Sequence, residues 1–326
     1  MTDLQLANLL FVLSISFGSL MIGYGARVGL LHFGLAPSER IWILSKYLKF
    51  FSLVVMIPIP VINAFWKFSL PSGSLLAMPL LGILSWIVGG LSAIVAIKAF
   101  RIPPKRAGSV FACGMFTNLT SFGRLIAFVM FGDRGFFLVQ LFIVFETFIY
   151  YAVGFPLSQQ ISTGRSGGFW FRMSMLKKQP ITVIPLLYIL FGVLLNLGGI
   201  ARPRLFDVFS GYLIPASVAV LGLSIGMTLR FSRIGRYRGE VLLIMAVKFV
   251  VIPLVVIPTG YLLGMHLIME GIPMKVLIML SFMPVAFTAL LPPTLYGFDL
   301  DLANSGWIVT TFFMLIVLPV LYWLFL

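Results

Sequence analysis

Thr117-Asn118-Leu119-Thr120-Ser121-Phe122-Gly123-Arg124 interrupts an otherwise apolar stretch of this 326-residue chain. Val110-Phe111-Ala112-Cys113 precedes it and Leu125-Ile126-Ala127-Phe128 follows it. Both flanks have the composition of membrane-buried helix. A lipid-facing helix does not carry such a run. Each polar group left unsatisfied in hydrocarbon is costly, and a central arginine costs about 3 kcal/mol or more. The stretch therefore predicts a broken helix lining a protein-enclosed site. A second interruption, from Pro284 to Pro293, sits at the matching place in the other half of the chain.

Composition sets the class. Hydrophobic residues make up 60% of the chain, charged residues 10%, and the mean hydropathy is +1.10. Soluble domains carry about 25% charged residues. The chain reads as a polytopic membrane protein whose core is defined against lipid and neighbouring helices. Its formal net charge is +14. The basic residues are scattered through short loops, as the positive-inside rule expects, and nucleic acid is not an expected partner. Cys113 is the one cysteine, so an intrachain disulfide and a cysteine metal cluster are excluded. Its apolar setting predicts an inert core thiol. His32 and His266 lie near loop ends and offer no histidine-rich metal site. No Gly-x-x-x-x-Gly-Lys-Ser/Thr phosphate loop is present, so ATP-driven transport by this chain is not expected, nor is an enzyme activity. Met1-Thr2-Asp3-Leu4-Gln5 lacks a basic leader, and the first apolar segment is expected to be retained.

A membrane span needs about 20 apolar residues. Such segments lie near 5–26, 43–65, 75–99, 108–131, 135–157, 180–199, 209–229, 240–264, 273–296 and 302–325. The loops between them sort by charge. Arg27 and Arg40 lie in the first, Lys98, Arg101, Lys105 and Arg106 in the third, Arg165, Arg172, Lys177 and Lys178 in the fifth, and Arg230, Arg233, Arg236 and Arg238 in the seventh. The even loops are poorer in basic residues. This predicts odd loops in the cytoplasm and both termini outside, in a bacterial plasma membrane.

The longest, Ser/Gly-rich loop joins two halves of five spans each. An odd number of spans per half gives the halves opposite orientation. The expected fold is all-α: ten transmembrane helices as a 5+5 inverted repeat with helices 4 and 9 broken. The repeats are residues 1–158 and 179–326, joined by a basic cytoplasmic loop over 159–178. Weak internal similarity agrees: Phe131-Gly132-Asp133 matches Tyr296-Gly297-Phe298-Asp299, and Phe155-Pro156-Leu157 matches Leu318-Pro319-Val320. Paired broken helices in paired repeats mark secondary transporters.

Three ionisable residues fall deep in the spans: Arg124, Glu146 and Lys248. Each needs a partner or a water-filled cavity. An arginine beside the break suits bidentate capture of a carboxylate, or a structural ion pair with Glu146. Glu146, a lone carboxylate in an apolar run, is a candidate to carry a coupling proton or cation, or to pair with Arg124. Lys248 either lines the site or snorkels. Thr117, Asn118, Thr120 and Ser121 supply neutral donors and acceptors, and Gly123 permits close backbone approach. Half-helix N-termini at the break present N–H groups to an anion. Pro292 and Pro293 remove donors in the ninth span and free carbonyls upstream, or merely kink it. Asp299 and Asp301 form a carboxylate pair in a turn where solvent exposure is expected.

In these features the chain resembles the auxin efflux carrier family, within the superfamily of bile-acid, auxin and arsenite transporters. In the first half the resemblance rests on Asn118 through Gly123 and Phe131-Gly132. In the second it rests on Gln179-Pro180, on Pro215, Ala216, Leu221, Gly222, Gly226 and Leu229, on Lys248 with Pro253, and on Met283-Pro284, Tyr296-Gly297, Asp299 and Leu318-Pro319. It implies a scaffold of spans 1, 2, 6 and 7 and a mobile transport domain of spans 3–5 and 8–10. Helices 4 and 9 would cross at their breaks, with substrate beside the crossover. Asn118 would be the crossover asparagine that contacts substrate, and Lys248 the eighth-span lysine. Leu125 stands in place of the family's first crossover proline, Thr120 in place of a frequent glycine, and Ala289 in place of the plant members' second crossover proline.

The expected function is secondary transport of a small anionic organic solute by an elevator-type motion. Asn118, Thr120, Ser121, Arg124, Ala289, Pro292 and Pro293 are the expected substrate-site residues, and Glu146 and Lys248 the coupling candidates. No cofactor or metal is expected; H+ and Na+ are the candidate coupling ions. The expected partners are the solute and the lipid bilayer, with a homodimer formed through the scaffold. The alternatives are a sodium-coupled symporter of the bile-acid type, a channel, and a non-transporting module whose basic fifth loop docks a partner or anionic lipid.

Overall fold

The computed structural model describes residues 3–68, 73–164, 184–229 and 234–325. The described residues are helical apart from turns and one isolated antiparallel bridge. In a bilayer the backbone has no water to bond, so a spanning chain satisfies its amides within helices. Among the described residues, seven helices are long and apolar enough to cross a membrane. Large apolar side chains such as Ile22, Leu80, Leu254 and Trp323 point outward. The protein is an integral, polytopic membrane protein.

In chain order the elements are α1 (Leu6–His32), α2 (Ser38–Lys67), α3 (Ala77–Ala99), α4 (Pro104–Met115), α5 (Arg124–Phe142) and α6 (146–163). They continue with α7 (Ile184–Leu197), α8 (Leu205–Gly226), α9 (Gly235–Leu262), α10 (Ile272–Ser281), α11 (Leu291–Tyr296) and α12 (Leu300–Phe325). Helix α8 packs on α1 and α2, and α7 packs on α2. Helix α4 packs on α3, α6 and α12, while α10 packs on α9 and α5. Small residues allow the closest approaches, as expected where lipid supplies no hydrophobic drive. A Cβ on Gly114 of α4 would sit 2.6 Å from the Cβ of Ala93 in α3. A Cβ on Gly192 of α7 would sit 2.8 Å from the Ile62 carbonyl oxygen of α2.

Continuous helix over Leu119–Thr163 would be far longer than a bilayer needs, and it is not one rod. Gly132 sits inside α5 at φ 61°, ψ −149°, a conformation essentially confined to glycine. The chain doubles back there. A Cβ on Gly135 would meet the Ala127 carbonyl of the incoming limb. The Phe131-Gly132-Asp133 boundary expected from the sequence is therefore this reversal.

Among the described residues, five stretches are wound as π-helix: Ser14–Gly18, Ser52–Met56, Leu119–Gly123, Tyr150–Gly154 and Val247–Val251. Such turns leave the regular ladder and are frequent at functional sites. Three of the five bear on the site described next.

The basic loop residues Arg165, Arg172, Lys177 and Lys178, the Gln179-Pro180 pair, and Arg230 and Arg233 lie outside the described residues.

Candidate functional site

Helix α4 ends at Met115, and the next three residues are extended. The second-half counterpart ends at Ser281 and is non-helical through Ala286. The two breaks meet. Asn118 N–H donates to the Pro284 carbonyl at 2.8 Å, and Ala286 N–H donates to the Phe116 carbonyl at 3.0 Å. Thr117 and Val285 face each other as the non-bonded pair of this short antiparallel ladder. Their own amides point outward and need other partners. Thr117 N–H donates to the Tyr150 hydroxyl of α6 at 2.9 Å. Val285 N–H donates to the Thr310 hydroxyl of α12 at 3.2 Å. The two breaks thus satisfy each other, and a hydroxyl from the next helix closes each side.

Lys248 completes the crossing. It lies in the π stretch of α9, is 0% exposed, and donates from Nζ to Thr117 Oγ1 at 2.7 Å. Buried Cys113 is its neighbour on α4. Among the described residues no carboxylate lies within 4.0 Å of its ammonium. Lys248 is therefore a wholly buried hydrogen-bond donor to the break and does not snorkel.

Arg124 opens α5 and Gln140 lies near its far end, eight residues to either side of Gly132. The reversal brings them together: Arg124 Nη2 approaches Gln140 Oε1 at 3.4 Å, at the long limit of a hydrogen bond. Arg124 is 6% exposed, yet its Nε and Nη1 have no protein partner, and neither has Gln140 Nε2. Arg124 and Gln140 are among the residues that line a cavity of about 40 Å³, with Thr120, Glu146, Leu186 and Ile189. A water needs roughly 10–15 Å³ by this measure, so the space takes about three waters or one carboxylate group.

Glu146 is 5% exposed and enters the cavity at the start of α6, just after the helix is interrupted over 143–145. It interacts with Arg124 electrostatically and with the Tyr150 hydroxyl. Its carboxylate and the Arg124 guanidinium do not come within the 4.0 Å of an ion pair. The structural ion pair weighed from the sequence is thus not formed. The two groups share a cavity instead, and Tyr150 links that cavity to the crossing.

The sequence-predicted residues divide into three sets. Thr120, Arg124 and Glu146 meet at the cavity. Asn118, Ser121 and Lys248 belong to the crossing, where Ser121 Oγ donates to Asn118 Oδ1 and Asn118 Nδ2 is left without a partner. Ala289, Pro292 and Pro293 are buried beyond the crossing and line neither. The prolines do not make the break. They occupy the first turn of α11, where a missing N–H is harmless, and the break is centred on Pro284 upstream. Asp299 is not a simple exposed residue either. It accepts from Tyr237 Oη at 2.9 Å and from Leu302 N–H at 3.1 Å, and it lies 3.8 Å from Arg106.

Gln140, Tyr150, Thr310 and Lys49 have roles the sequence reading did not single out. Gln140 is a lone amide in Leu138-Val139-Gln140-Leu141, and that polarity is a signal available to sequence. Tyr150 and Thr310 carry no such signal, being ordinary in apolar helices. Lys49 of α2 reaches the second break by placing its ammonium 4.9 Å from the Phe287 ring centroid. Among the described residues no group of three or more His, Cys, Asp or Glu is placed to hold a metal.

No protein-family model matches the chain. A protein of Methanocaldococcus jannaschii is 25% identical over 244 residues, covering 73% of this chain and 75% of that protein. One of Methanothermobacter thermautotrophicus is 24% identical over 243 residues, covering 74% and 76% respectively. Both are named uncharacterized transporters.

Proposed function

We propose that this protein is a secondary transporter of a small organic anion, working by an elevator-type alternation. The observation that carries the reading is the Arg124 guanidinium. It is almost fully buried within an apolar span, two of its nitrogens lack protein partners, and the residue lines a cavity of about 40 Å³. A planar guanidinium with free donors matches a carboxylate in a bidentate way. Gln140 and Thr120 add neutral hydrogen-bonding groups, and Leu186 and Ile189 wall the apolar side. The names of the two relatives support transport as the activity.

The crossing supports the ten-helix, 5+5 inverted repeat. Thr117 and Val285 play equivalent parts, and so do the hydroxyls of Tyr150 and Thr310. In this reading α1, α2, α7 and α8 form the scaffold, and the elements from α3 to α6 and from α9 to α12 form the transport domain. Residues 1–158 and 179–326 are the repeats. The resemblance to auxin efflux carriers belongs to the same proposal, as do a bacterial plasma membrane, both termini outside, a homodimer through the scaffold and the absence of enzyme activity. Asn118 Nδ2, without a protein partner, is the crossing's own candidate for solute contact.

Flux of carboxylates into proteoliposomes tests the reading. Saturable uptake that Arg124→Ala removes, and Arg124→Lys restores only in part, is the expected result. Unchanged saturable uptake in Arg124→Ala refutes the anion contact. Uptake that requires sodium favours the bile-acid-type alternative.

A further inference from the structure

We infer that the carboxylate and one proton bind together, the proton on Glu146, so that the cavity carries no net charge whether empty or loaded. This rests on the reading of Arg124 as the anion contact and adds the coupling ion to it.

Charge and space compel the pairing. Arg124 and Glu146 line one cavity of about 40 Å³ and are each at most 6% exposed. In this proposal Glu146 is ionised when the cavity is empty, so that Arg124 and Glu146 sum to zero. A solute carboxylate paired with Arg124 while Glu146 is still ionised leaves one uncompensated negative charge there. An unpaired charge in such a setting costs several kcal/mol, which opposes loading. One proton taken from water onto Glu146 brings the sum back to zero. No bond of the solute is made or broken, and the proton leaves with the solute on the other side.

The neighbours leave Glu146 as the acceptor. Among the described residues, the titratable and charged groups that act on it are Arg124 from α5 and Tyr150 from its own helix. Among the described residues, helix α7 contributes Leu186 and Ile189 to the cavity, and Thr120, Gln140 and Thr147 are neutral. Lys248 does not line the cavity; its ammonium is engaged by Thr117 at the crossing. Because Arg124 and Glu146 do not bond to each other within 4.0 Å, each is open to a ligand of its own, the anion for one and the proton for the other. Two consequences follow for an elevator. The transport domain crosses the membrane with this site neutral in both directions, so a monocarboxylate moves without net charge. Sodium is not required.

Calorimetric titration of the purified full chain with acetate, lactate and benzoate, in two buffers of different ionisation enthalpy, counts protons taken up per anion bound. Between about pH 6 and 8 these acids are ionised in solution. Wild type is expected to take up one proton per anion. Its affinity then falls up to about tenfold per pH unit as pH rises. Glu146→Gln is expected to bind without proton uptake and without that slope, and Glu146→Asp to recover both. Should Glu146→Gln fail to fold, infrared difference spectra of wild type with benzoate must still show a new protonated-carboxyl band. Anion binding by wild type without proton uptake, or without that band, overturns the co-binding and leaves the anion contact standing. Absence of binding by any of the three acids across this pH range overturns both.

Discussion

Lys248 donates to the Thr117 hydroxyl at 2.7 Å, joining a buried cation of α9 to the point where the two broken helices pair. A buried charge whose partner is removed is costly, whereas replacing the charge itself by an apolar side chain of similar volume is often neutral. The two halves of this contact should therefore respond unequally. Thr117→Val is expected to destabilise by about 3 kcal/mol, and Lys248→Met by about 1 kcal/mol or less. In thermal unfolding of the detergent-solubilised protein, the double variant should melt close to Lys248→Met. Equal losses for the two single variants contradict this account.

Among the described residues, Gln140 gives Arg124 its one hydrogen bond, at 3.4 Å. Gln140→Leu leaves a third guanidinium nitrogen unsatisfied and should cost about 1–3 kcal/mol. Arg124→Met should recover much of that loss in the Gln140→Leu background, because the orphaned charge goes with it. A double-mutant cycle on melting temperature measures the coupling. Additive effects would show that the two side chains do not interact.

Gly132 holds φ 61° and ψ −149°, and a Cβ there would meet nothing within 4 Å. Gly132→Ala therefore tests backbone conformation apart from packing. A loss of about 1–3 kcal/mol is expected. Because Arg124 and Gln140 meet only through this reversal, carboxylate binding should weaken along with stability. A Gly132→Ala protein as stable as wild type shows that the reversal does not depend on glycine.

Lys67 at the end of α2 pairs with Asp133 at 2.5 Å and with Asp207 at 3.2 Å. These groups are about one-third exposed, where a pair is worth roughly 0–1 kcal/mol. Under the proposed elevator motion, Lys67–Asp133 joins scaffold to transport domain and must part in each cycle. Asp133→Asn is expected to change the melting temperature little and to speed exchange in proteoliposomes. A slower exchange rate with unchanged stability would mean that the pair assists the motion rather than resisting it.

Much of the site was legible in the sequence because lipid makes polar residues conspicuous. Arg124, Glu146 and Lys248 were singled out by their place in apolar runs, and all three are buried where the two breaks and the cavity lie. Pro292 and Pro293 misled for a local reason. A proline disrupts the interior of a helix but fits its first turn, and sequence does not say which place it holds. Pro284, eight residues before Pro292, carries the break instead.

The sequence by itself determined that this is a polytopic membrane protein with two interruptions in corresponding places, because hydropathy and buried charge are properties of composition along one chain. Only the tertiary structure decided what those interruptions do. Whether Arg124 pairs with Glu146 or shares a cavity with it depends on distances across the Gly132 reversal. Whether Thr117 and Val285 meet depends on a contact between residues more than a hundred positions apart, and the hydroxyls that close their amides come from 33 and 25 positions away. Such contacts leave no local periodicity. They are set by the packing of helices whose apolar surfaces look alike in sequence and differ only in where small and polar side chains allow close approach.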